Sequence, residues 1–308
     1  MFENFITVFS QVIVLFIFMF IGLFFGKTDL VSEKATRGIT NLLTYVVIPC
    51  TLIRAFQFRF DPVEFREFLF CFAIAAGIHI ATFLAAHFLV FSKNREERQV
   101  LVLLSVISNC NFIAFPLQLS ILGEKGIFLG SAYSAVCALF NWTFGMIYMT
   151  GRWDKSSLKN ITLNPSLIGF LIGFILYLTS FTLPSVISST VEYAADLAVP
   201  LPMILIGVML TQANFKTIIR DFRIWQSILL RLVVFPLATL GVLVLLGIRG
   251  EVLTATLIEA APPSATIVVI LASMLHRGED LAAAGCSLST VVSLFTMPFI
   301  ISFAQTLA

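Results

Sequence analysis

Ser108-Asn109-Cys110-Asn111-Phe112-Ile113-Ala114-Phe115-Pro116 and Leu257-Ile258-Glu259-Ala260-Ala261-Pro262-Pro263-Ser264-Ala265 are apolar stretches broken by proline at matching places in the two halves of the chain. Proline donates no backbone hydrogen bond and clashes with the preceding turn, so a helix kinks or opens there. In hydrocarbon an opened helix survives only where protein or a watery cavity takes up the freed polar groups. Paired interruptions of this kind point to a binding site near the membrane midplane, where two broken helices cross.

The rest of the chain agrees with a membrane setting. It is 59% hydrophobic and 12% charged, with a mean hydropathy of +1.00, a balance that polytopic membrane proteins carry and soluble ones do not. With a net charge of +2 and no long basic run, nucleic acid is excluded as a partner. The five cysteines (Cys50, Cys71, Cys110, Cys137, Cys286) lie in apolar stretches without C-x-x-C spacing. They read as packing residues rather than as disulfides or metal ligands. The apolar run after Met1-Phe2-Glu3-Asn4 lacks a basic leader and is read as a retained first helix.

Stretches of about 20 apolar residues fall at 7–26, 38–57, 67–91, 99–122, 127–149, 165–183, 192–211, 225–247, 252–275 and 281–304. The fold expected is an all-α membrane protein of ten spans. Of the 19 Lys and Arg residues, thirteen lie in the odd-numbered connections and five in the even-numbered ones. The positive-inside bias then sets the odd connections in the cytoplasm and both termini outside. Arg54, Arg59 and Arg66 run against that rule.

The halves repeat: Pro49 corresponds to Pro200 and Pro116 to Pro262, at separations of 151 and 146 residues. The reading divides the chain into five-span repeats at 1–150 and 165–308. An odd number of spans per half requires the second half to insert upside down, which gives two near-equivalent shapes for alternating access.

At these residues the chain resembles the auxin efflux carrier family, which includes bacterial malate- and malonate-type permeases and plant carriers. Asn109, Phe112, Ile113 and Pro116 match that family's fourth-span pattern, while Asn111 and Ala114 stand where glycines are usual. Ala260, Ala261, Pro262, Pro263 and Ala265 match its ninth span. Arg231 with Pro236, Ser289-Thr290 with Pro298, and Gly22, Gly26 and Lys27 match its eighth, tenth and first. The resemblance implies a homodimerising scaffold of spans 1, 2, 6 and 7. Spans 3–5 and 8–10 would form a transport domain that moves against it as an elevator, with broken helices 4 and 9 crossing at the substrate. Residues 150–164 leave no room for the long loop of the plant carriers.

For the crossover, Pro116 and Pro262 suit the first turns of new half-helices, whose N-terminal ends favour an anion. Asn109, Asn111, Asn141, Pro263 and Ser264 are further candidate substrate contacts. Arg231 offers a guanidinium matched to a carboxylate, or else snorkels to the interface. Glu259, in a predicted span, carries H⁺ or helps hold Na⁺, or else pairs with Arg231 or sits wetted at an edge. His79 reads as an interhelical hydrogen-bond partner, and Glu192 and Asp196 as groups at the outer mouth. His79, His87 and His276 are widely separated and no H-E-x-x-H or G-x-S-x-G occurs, so neither an enzyme nor a metal site is indicated. The function expected is a secondary transporter of a small mono- or dicarboxylate at the plasma membrane, by H⁺ or Na⁺ symport or driven by potential. Alternatives are a potential-driven exporter of an amphipathic weak acid and a membrane sensor.

Overall fold

The structure, a computed structural model, describes residues 2–151, 162–211 and 221–307. Arg152, Lys155, Lys159, Lys216 and Arg220, which entered the charge count, and residues 152–161 of the 150–164 connection lie outside them. The described residues are helical almost throughout. In the first half α1 spans Phe2–Lys27, α2 Glu33–Leu42, α3 Ile48–Ala55, α4 Pro62–Leu89, α5 Arg95–Val106, α6 Phe115–Phe140 and α7 Met146–Thr150. In the second, α8 spans Pro165–Leu178, α9 Ser185–Ala195, α10 Pro200–Thr211, α11 Phe222–Leu229, α12 Phe235–Leu245, α13 Gly250–Ala260, α14 Ile267–Met274 and α15 Glu279–Leu307. Six helical runs among the described residues are long and apolar enough to cross a membrane. Phe20, Phe88, Val186, Leu245 and Phe295 all stand on the outside of the bundle, as residues meeting lipid would.

Local signals set the helix starts. Asp61, Asn94, Asn164 and Asp221 each accept a hydrogen bond from a first-turn N–H, and Pro62 and Pro165 occupy the first helical positions. Gly123 turns α6 in its middle with φ 65°, a conformation that glycine adopts without strain.

Ahead of three of the prolines that sit inside apolar runs, the helix widens instead of kinking. The Ile48, Phe115 and Phe235 N–H groups each donate to the carbonyl five residues back, on Leu43, Cys110 and Leu230. These π turns make room for the rings of Pro49, Pro116 and Pro236 next in the chain.

The repeat is visible in packing. Gly22 and Gly26 of α1 lie against α10, as Gly169 and Gly173 of α8 lie against α3. A Cβ on Gly22 would stand 2.0 Å from the Ile204 carbonyl oxygen, and one on Gly207 2.0 Å from that of Met19. Backbones touch here through small residues, the common mode of helix association in lipid. Gly207→Ala is therefore expected to force α1 from α10 and to destabilise the protein by about 1–3 kcal/mol. Gly241 has nothing within 4 Å of its would-be Cβ, so Gly241→Ala should melt at or above wild type. Detergent-phase melting of both variants checks this, and equal melting of Gly207→Ala and wild type contradicts the contact.

Candidate functional site

Two helices break and meet. α5 ends at Val106 and helical structure resumes at Cys110, while α13 ends at Ala260 and α14 begins at Ile267. Ser108 and Ser264 form an antiparallel bridge between the two breaks. The Asn109 N–H donates to the Pro263 carbonyl (3.0 Å) and the Ala265 N–H to that of Ile107 (3.1 Å). Each serine also reaches the other helix: Ser108 Oγ donates to the Glu259 carbonyl (2.6 Å) and Ser264 Oγ to that of Leu104 (2.6 Å). Freed carbonyls of one half are thus satisfied by the other, as an opened helix inside a membrane requires.

Arg231 locks the same point from α11's continuing π turn. It is 2% exposed, and its Nε, Nη1 and Nη2 donate to the carbonyls of Pro262 (2.9 Å), Val106 (3.1 Å) and Ala260 (2.8 Å). One rigid guanidinium fork holds the ends of both first halves and places positive charge at two helix C-termini.

On the other side of the crossover lies a cavity of about 190 Å³. The starts of both second halves line it: Asn109, Cys110, Asn111 and Phe112 from one, Ala265, Thr266 and Ile267 from the other. Ser134 and Asn141 line it from α6 and its π-turn extension, Thr40 and Thr44 from α2 and the turn after it, and Asn164 and Ser166 from α8. Among the described residues no charged side chain lines it. Asn111 ties the walls together, accepting from Ser134 Oγ (2.8 Å) and donating to Ser166 Oγ (3.2 Å). Asn141 Oδ1 is buried without a partner.

Of the residues singled out by sequence, Asn109, Asn111 and Asn141 come together on this cavity. Pro116 does not line it; it follows a π turn a full turn beyond the break. Pro262 and Pro263 lie inside the second break, not in the first turn of α14. The chain crosses there through a bend and the Ser264 bridge before a new helix starts. Ser264 and Arg231 hold the crossover and leave the cavity wall to others. The snorkelling alternative for Arg231 fails, because its head points inward to carbonyls. Glu259 is 0% exposed, not wetted at an edge, and among the described residues it forms no ion pair with Arg231. Its Oε1 accepts from Gln118 Nε2 (3.3 Å). His79 bonds within its own helix, through Nδ1 to the Ala75 carbonyl (2.8 Å), and packs on Tyr133 and Phe140. Asp196 is not simply solvated: it pairs with Arg54 (2.7 Å), which also meets Glu124 (2.9 Å). That pairing accounts for one of the three arginines placed against the charge rule. Sequence reading missed Ser108, Gln118, Gly130 and Ser134; the matched serines of the two breaks and a lone Gln in an apolar span were the available signals.

The family model described as "membrane transport protein" matches this chain twice, over residues 7–161 and 149–301. The chain belongs to that family, the auxin efflux carrier family. An uncharacterized transporter of Methanocaldococcus jannaschii is 26% identical over 304 residues, 93% of this chain and 95% of the relative. One of Methanothermobacter thermautotrophicus is 28% identical over 201 residues, 64% and 65% of the two chains. The present chain is accordingly a multi-pass membrane transporter and not an enzyme, and the double match accords with an internal repeat.

Proposed function

We propose that the protein is a secondary carrier of a small organic anion, a mono- or dicarboxylate, working by alternating access at the crossover. The observation that carries this reading is that both interrupted helices begin their second halves on one cavity, where amides and hydroxyls are set among apolar side chains. The positive ends of two helix dipoles converge there. Asn109, Asn111 and Asn141 add amides able to donate to a carboxylate. Arg231 lies behind the crossover and contributes field rather than a direct ligand.

The reading takes the chain as ten passes in two inverted repeats. Spans 1, 2, 6 and 7 form the scaffold, and spans 3–5 and 8–10 form the domain that moves. The cavity extends toward the end of the bundle where α2 and α8 begin, the cytoplasmic end by the charge rule. At the opposite end Arg54 of the scaffold joins Glu124 of the moving domain, which fits a state open to one side and latched at the other. Phe112, Trp142, Ile267 and Ile270 on the cavity wall favour, as a second reading, export of a weak acid with an apolar body.

Binding tests the proposal without transport. A carboxylate at 100 times its dissociation constant stabilises the folded state by about 2.7 kcal/mol. A panel of small mono- and dicarboxylates is therefore expected to contain members that raise the melting temperature of the purified protein, while their neutral amides leave it unchanged. Equal effects of acids and amides contradict an anion site.

A further inference from the structure

Glu259 and Gln118 form a second, smaller polar site behind the cavity. Both side chains are 0% exposed. Gln118 Nε2 donates to the Ala255 carbonyl (2.9 Å) and, at 3.3 Å, to Glu259 Oε1. Glu259 Oε2 and Gln118 Oε1 have no partner. Space for the pair comes from Gly130: a Cβ there would stand 2.6 Å from Glu259 Oε1 and 2.7 Å from Gln118 Nε2. The pocket is therefore shaped around a carboxyl group that it does not neutralise.

Among the described residues no charged group forms an ion pair with it. Arg231 spends its N–H groups on carbonyls. Cys110, Cys137 and Tyr133, the other titratable groups beside it, carry no positive charge, and His79 lies beyond them against Tyr133. Lys125 is paired with Glu67 and Glu251, roughly 12 Å along α13 from Glu259 at 1.5 Å per residue. A buried carboxylate in such a place is costly, and taking up a proton removes the cost.

The site is also connected. The Cys110 thiol approaches the Glu259 carboxyl and lines the cavity. Ser108 Oγ bonds the main-chain carbonyl of Glu259 itself. Any rearrangement of the crossover thus moves Glu259, and its charge acts on whatever occupies the cavity.

We propose that the Glu259–Gln118 pair is a proton-binding site: Glu259 takes up one H⁺ on its free carboxylate oxygen with each anion carried, and releases it when the crossover rearranges. The step is carboxylate plus H⁺ to carboxylic acid, with no other bond changed. Deprotonated Glu259 repels an anion in the cavity across a low-dielectric gap, so proton and substrate bind together and leave together, and each strengthens the other's binding equally. The transport half of this inference rests on the carrier reading above; the protonation half does not.

Two measurements on the full-length protein separate those halves. Infrared difference spectra across a pH titration should show a protonated-carboxyl stretch, shifted in D₂O and absent in Glu259→Gln. In proteoliposomes an imposed pH gradient should drive accumulation of the labelled acid by wild type. Glu259→Gln, fixed in the neutral form, should lose that accumulation roughly ten-fold or more while keeping exchange of labelled for unlabelled acid. No Glu259-dependent acid band at any pH overturns the proton site. Undiminished pH-driven accumulation by Glu259→Gln, or accumulation that follows only Na⁺, overturns its coupling. If wild type moves no acid, the carrier reading fails and the acid band alone decides the site.

Discussion

Arg231→Ala is expected to cost the protein its fold, not only its activity. The variant orphans the carbonyls of Pro262, Val106 and Ala260 at once, in an interior with no water to replace the lost donors. Each orphaned group costs about 1–3 kcal/mol, and the vacated guanidinium volume adds to that. The expected result is poor recovery from membranes and a melting temperature far below wild type. Arg231→Lys should lie between, because one ammonium can satisfy the end of one helix but cannot span both. If instead Arg231→Ala melts like wild type and loses only transport, the guanidinium contacts substrate and the crossover stands without it.

Asn141→Leu is expected to do the reverse. Asn141 lines the cavity, its Oδ1 has no partner, and its Nδ2 makes only a 3.6 Å contact to Cys137 Sγ. Replacing an unsatisfied buried amide with an apolar side chain of similar volume is nearly neutral for stability. Losing a hydrogen bond to a charged ligand costs about 1.5–3 kcal/mol, which is roughly 10–100-fold in affinity. Melting without ligand should therefore match wild type, while binding and uptake of the acid fall by that factor. Unchanged uptake by this variant would remove Asn141 from the site. Opposite outcomes for two polar residues of one region would separate the group that builds the crossover from the group that serves the ligand.

Much of this was legible in the chain. The apolar stretches, the turns at Gly123 and Asn164-Pro165 and the two breaks follow from hydropathy, proline chemistry and capping, all of which act locally. Asn109, Asn111 and Asn141 of the cavity were legible for the same reason, since an amide in an apolar span needs something to bond. The direction of a side chain around its helix was not. Arg231 lies at a position that fits either a ligand or a clamp, and only the packing of α11 and its π turn against both breaks decides between them. Pro262 reads as a helix start because nothing local shows that the next helix waits until Ile267. The π turns before Pro49, Pro116 and Pro236 widen the helix by one residue, a response to the ring that apolar periodicity does not record. Gly130 carried no signal by itself; its meaning depends on Glu259, which lies far along the chain.

The central claim is that the cavity between the two half-helix starts carries a small carboxylate across the membrane. It is tested most directly by uptake into proteoliposomes of labelled mono- and dicarboxylates, with H⁺, Na⁺ and voltage gradients imposed one at a time and Asn141→Leu run beside wild type. The account predicts saturable uptake of at least one acid by wild type, driven by the pH gradient and sharply reduced in the variant. Well-folded protein that neither accumulates nor exchanges any acid under any gradient would contradict it.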